Sequence, residues 1–116
     1  VIAVIFEVLP DPDRKQRYLD LAAALKLELS AIEGFISVER FQSLNDPDKM
    51  LSLSFFRNEQ AVMAWRNTAA HRATQASGRG GVFADYRLRV AEVSRDYGMF
   101  ERAQAPIDSR SAKLTA

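Results

Sequence analysis

The sequence predicts an α+β domain, a four-stranded antiparallel sheet in the order βαββαβ with two helices on one of its faces. Three observations point there. Stretches rich in β-branched and aromatic residues alternate with stretches whose apolar residues recur at helical spacing. Clusters of Pro, Asp, Asn and Gly punctuate them. Charge also sorts the strands. The first and third are largely uncharged through their centres, as central strands are, while the second (Glu39, Arg40) and fourth (Arg87, Arg89, Glu92) carry charges, as edge strands do. With right-handed crossovers, that order is ferredoxin-like.

Taken in order, "VIAVIFEVL" is apolar on both alternating sets. Ile2, Val4, Phe6 and Val8 point one way; Val1, Ala3, Ile5 and Leu9 point the other, with Glu7 the exception. "PDPDRKQ" starts a helix, with Asp11 as N-cap, Pro12 at the first position and Asp13 near the positive dipole end. Tyr18, Leu21, Ala22, Leu25, Leu29 and Ile32 make that helix amphipathic, and Gly34 ends it. "FISVERFQSL" and "KMLSLSFF" flank the turn cluster "NDPD" and form a hairpin. Asn58 caps a second helix expected to run through Trp65 and His71 towards Ser77, ended by "GRGG". "DYRLRVAEV" is the last strand, with Tyr86, Leu88 and Val90 on one face and Arg87 and Arg89 on the other. The domain is expected over residues 1–97, and residues 98–116 as a polar tail, flexible or packed on a partner subunit.

The first strand poses a problem, because it is apolar on both sides while the helices cover only one. A second subunit stacking its sheet on the bare face solves it, so a homodimer is expected.

Composition removes several classes of function. In 116 residues, a net charge of +1 gives no reason to expect a nucleic acid or an acidic membrane as partner. No apolar run approaches the ~20 residues of a membrane helix, and no signal peptide is recognisable. The chain opens on Val1 rather than a methionine, so a few preceding residues are expected. Without cysteine there are no disulfides, thiolate nucleophiles or iron–sulfur clusters, and a cytoplasmic location is expected. One histidine and no cysteine also argue against a structural zinc site.

Candidate chemistry concentrates in "AVMAWRNTAAHRATQ", which holds the only tryptophan and the only histidine. On a continuous helix Val62, Trp65, Ala69, Ala73 and Ala76 form an apolar stripe, flanked by a more polar seam of Ala64, Thr68, His71 and Gln75. Small alanines around one indole leave room beside the ring. A lone tryptophan on such a stripe is more often a core anchor than a catalytic group, and a lone histidine on a flank more often a surface residue than a base. Pattern alone thus locates a site without naming a reaction.

"SFFRNEQAVMAWRNTAAHRATQ" followed by "FADYRLRVAEV" resembles the antibiotic biosynthesis monooxygenase family, within the dimeric α+β barrel superfamily. The resemblance runs from the first strand to about Tyr97. It implies a cytoplasmic homodimer with a cavity between helices and sheet in each subunit, and, for the cofactor-independent members, oxidation of anthrone- or quinol-like aromatics by molecular oxygen. The anthrone oxidisers carry a tryptophan where this chain has Trp65, but a tyrosine at the position of His71 and an asparagine at that of Ala61. Haem-degrading relatives place an iron-ligating histidine where Gln75 stands and an asparagine on the first strand, which has none here; haem therefore ranks second to a reaction with no cofactor.

The expected reading is a monooxygenase acting with oxygen on a small phenolic, quinol- or anthrone-like substrate. His71 would be the base, since imidazole ordinarily titrates near ~6.5. Trp65 would be the stacking wall. Gln75, Thr68, Tyr86 and Arg87 would bind substrate or its developing charge. A non-catalytic binding module is the remaining alternative. No metal is expected.

Overall fold

The computed structural model describes residues 1–68 and 81–109. Strand β1 (Ile2–Pro10) pairs antiparallel with β3 (Met50–Phe56) on one side and β4 (Phe83–Glu92) on the other, and β2 (Phe35–Gln42) adds to the far edge of β3. The order β2-β3-β1-β4 puts the two strands with the least charge at the centre, as the charge pattern predicts. The register pairs Val4 with Ser54 and Val90, Phe6 with Ser52 and Leu88, and Ser52 with Arg40. Because side chains alternate along a strand, these residues share one face of the sheet.

Both helices lie against that face. Helix α1 (Lys15–Ser30) follows a 3-10 turn, Pro12–Arg14, whose entry is fixed by the Asp11 carboxylate accepting the Asp13 N–H at 2.9 Å. Its buried residues, Tyr18, Ala22 and Leu29, lie at helical spacing. Helix α2 (Glu59–Arg66) starts where the Asn58 side chain accepts the Ala61 N–H at 3.0 Å, and it buries Ala61, Val62 and Trp65. One core cluster joins Ile2, Leu29, Phe56, Ala61, Val62 and Trp65; a second joins Val8, Tyr18 and Val82. No helix among the described residues is long and apolar enough to cross a membrane.

Helix α2 is shorter than the sequence predicts. It stops at Arg66 with Asn67 as its C-cap instead of continuing through His71. The Thr68 backbone N–H and hydroxyl both donate to the Trp65 carbonyl, at 3.1 and 2.8 Å. They occupy the acceptor that the next helical N–H would use. The helical wheel of α2 therefore ends at this turn. His71, Gln75 and the glycines at 78 and 80 lie outside the described residues.

Beyond β4, residues on both sides of the expected boundary at 97 make local structure. The Asp96 N–H donates to the Gln104 side chain at 2.7 Å, and the Arg102 guanidinium sits 5.4 Å from the Tyr97 ring centroid while donating to the Ser109 carbonyl. Ala105 is buried, and a short 3-10 turn spans Ile107–Ser109.

Candidate functional site

Between the helices and the sheet lies a cavity of about 200 Å³. Its roof is α1, through Tyr18, Leu21, Ala22, Leu25 and Leu29. Its floor is the helix-side face of the sheet: Val4 and Phe6 from β1, Val38 and Arg40 from β2, Ser52 and Ser54 from β3, and Tyr86 and Leu88 from β4. Trp65 closes the end beneath α2 and Phe83 adds to the β4 side. Strand periodicity explains the floor, since every contributing residue of β1 to β3 is an alternate position of its strand. Tyr86 and Leu88 stay about half exposed, so the cavity opens along β4.

The walls are mostly apolar and aromatic, the composition of a pocket for a small organic molecule. Phe6, Tyr18, Phe83 and Tyr86 form an aromatic cluster at one end, with centroid separations of 5.6–6.0 Å and no parallel stacks. Trp65, only 8% exposed, belongs to the core cluster and to the cavity wall at once.

Polar groups are few. Burial pushes the Tyr18 phenol above its usual pKa, although the neighbouring Arg40 opposes this through its charge and a hydrogen bond. Tyr18 therefore stays protonated at neutral pH and can donate its O–H. The Arg40 Nε is shielded from solvent and has no hydrogen-bond partner. Among the described residues, no group of three His, Asp or Glu side chains could hold a metal ion.

Of the residues singled out in the sequence, Trp65 and Tyr86 line the cavity. Thr68 lies just past α2, where its hydroxyl caps the Trp65 carbonyl instead of facing the cavity. Arg87 does not line this cavity. Alternation places it opposite Glu7 on the other face of the sheet, away from this cavity. His71 and Gln75 lie outside the described residues.

Sequence reasoning missed Arg40 and Tyr18. The charge on an edge strand reads as solvated, and the tyrosine reads as part of an apolar helix face. The signal that finds Arg40 is its spacing: it stands two residues after Val38, on the same side of β2.

Comparison with known proteins places this geometry. The family model described as antibiotic biosynthesis monooxygenase matches residues 1–77. A jasmonate monooxygenase ABM from Pyricularia oryzae is 47% identical over 94 residues, which cover 81% of this chain and 44% of that protein. The chain thus spans less than half the length of that curated relative. Among solved structures, Rv0793 from Mycobacterium tuberculosis superposes with a TM-score of 0.75 at 18% identity, covering 84% of this chain and 98% of that one. A candidate antibiotic biosynthesis monooxygenase from Deinococcus radiodurans gives 0.76 at 9% identity, covering 84% and 97%. At such identities these structures bear on the fold alone.

Proposed function

The chain belongs to the antibiotic biosynthesis monooxygenase family, and from that premise we propose that it is a monooxygenase acting with molecular oxygen on a small, largely apolar substrate. The observation that carries this is the cavity between α1, α2 and the sheet, walled by Trp65 and the aromatic cluster. The proposed substrate is electron-rich: a phenol, quinol or anthrone. Electron balance is the reason. With no cofactor, the substrate must supply all four electrons that dioxygen takes up, as when an activated CH₂ becomes C=O and the second oxygen atom leaves as water. An ionised phenol or enol can pass an electron to oxygen directly. The protein then has only to bind, desolvate and deprotonate it.

In this reading Trp65 stacks on the substrate and His71 takes its proton. The same reading places the protein in the cytoplasm, in keeping with its lack of cysteine. It also pairs the protein with a second copy of the chain through the helix-free face of the sheet.

Oxygen uptake tests the proposal, with an anthrone, a dihydroxynaphthalene and jasmonate as a panel. Labelled dioxygen should leave one labelled atom in the product of the anthrone or the dihydroxynaphthalene, whereas incorporation with jasmonate alone would contradict the electron-rich substrate. His71→Ala should slow that reaction roughly 10²–10⁴-fold, the contribution of a general base. No uptake above the uncatalysed rate with any of the three would favour a binding module instead.

A further inference from the structure

Arg40 is a charge that neither the packing nor the proposed chemistry uses. It sits on β2 directly across from Ser52 of β3 and faces the cavity beneath α1. Its Nε is cut off from water and unbonded, and its guanidinium lies against the Tyr18 hydroxyl. A neutral phenol satisfies one donor without neutralising the charge.

No carboxylate among the described residues lies within ion-pair distance of Arg40. The two ion pairs there are Arg57 with Glu33 and Arg89 with Glu7. Nor can the remaining segments supply an acidic side chain. "AAHRATQASGRG" over 69–80 and "RSAKLTA" over 110–116 contain no Asp or Glu, and the first adds two more arginines. Glu39, the neighbour of Arg40, alternates to the other face of β2. A partly buried guanidinium without a counter-charge is unfavourable, and an anionic ligand offsets that cost. Its planar fork also matches the geometry of a carboxylate or other oxyanion.

We propose that Arg40 and Tyr18 form an oxyanion anchor, so that the ligand of this cavity is a small molecule with an apolar body and one anionic oxygen group. The guanidinium holds the anion and the Tyr18 O–H donates to it, while Phe6, Leu25 and Trp65 enclose the body. The group is either a carboxylate or the ionised oxygen of a phenol or enol. In the second case Arg40 also favours the deprotonated substrate, the form that reacts with oxygen. The proposal rests on the monooxygenase reading only in placing the substrate in this cavity.

Binding measurements without turnover test it. Calorimetric titration of the full chain compares 2-naphthoate with its neutral isostere 2-naphthamide. Absorbance follows the phenolate band of 4-nitrophenol below its solution pKa. A preference for naphthoate of about tenfold or more, equivalent to ~1.4 kcal/mol, assigns a carboxylate. A phenolate band enhanced by the protein assigns an ionised phenol. Either effect should vanish in Arg40→Gln, return in part in Arg40→Lys and weaken in Tyr18→Phe, with melting curves confirming that each variant is folded. If Arg40→Gln does not fold, the parent protein and Arg40→Lys decide the matter. Neither effect in the parent, or an effect that survives Arg40→Gln, overturns the anchor. Oxygen uptake is not among these readouts, so an intact anchor in a protein inert towards oxygen would refute the monooxygenase reading alone.

Discussion

Trp65 and Tyr18 each serve two purposes at once. The indole is nearly buried in a core cluster with Ile2, Leu29 and Phe56, and its remaining surface forms a cavity wall. Tyr18 anchors the second cluster through its ring and points its hydroxyl at Arg40. That burial has a consequence at high pH. In the unfolded chain a tyrosine ionises near ~10, whereas burial raises the folded value above that, with Arg40 opposing. The folded state therefore holds a proton that the unfolded state has already lost. This contribution to stability is fully present below the unfolded pKa and is lost as pH rises through the folded one. Thermal melts across the alkaline range should show the parent losing more stability than Tyr18→Phe. Parallel alkaline slopes for the two proteins would contradict it.

Among the elements, the passage from α1 into β2 sets the height of α2 over the sheet. Gly34 has φ +89°, its carbonyl accepts the Arg57 N–H at 2.7 Å, and an added Cβ would stand 2.9 Å from the Ala61 Cβ at the start of α2. Both the positive φ and the close approach require glycine. Gly34→Ala should cost about 1–3 kcal/mol, read as a lower denaturation midpoint. It should also loosen the Trp65 end of the cavity, visible as a red-shifted tryptophan emission. An unchanged midpoint would mean that α2 can lift off the turn without penalty. At the other end of α2, Asn67 and Thr68 stop the helix one residue after Trp65, the last of its buried residues. The hydrophobic spacing from Val62 to Ala76 continues past that point, so periodicity alone overran the end.

In the whole molecule, the helices cover one face of the sheet and leave the other without a second layer among the described residues. That far face carries Ala3, Ile5, Leu9, Leu51, Leu53 and Phe55 along its two central strands, with Phe41 41% exposed on β2. Glu7 of β1 interrupts the apolar stripe and is paired with Arg89 of β4 at 3.1 Å, while Glu39 on β2 and Arg87 on β4 border it. A second copy related by a two-fold axis offers both a matching stripe and the opposite charge at the rim. An interface built this way should bury roughly 2,000 Å² or more. Sedimentation at micromolar concentration should therefore report a dimer, and Leu53→Lys should dissociate or unfold it. A well-folded monomer of the parent chain at that concentration would refute this arrangement.

The sequence by itself determined the element order, the central and edge strands, the helix start at Asn58, the turn at Asp11 that leads into α1, and the face of β4 that carries Tyr86 and Leu88. All of these are local. Periodicity, caps and charge act within a few residues, so they can be read along the chain. Only the tertiary structure decided that Arg40 is a cavity residue, that Arg87 is not, and that Tyr18 has a charged neighbour. Alternation assigns a side chain to one of two faces, but it does not say which face the helices will cover. That choice is made when α1 and α2 dock on the even-numbered side of β1, and it turns an edge-strand arginine inward beside a helix tyrosine 22 positions earlier in the chain.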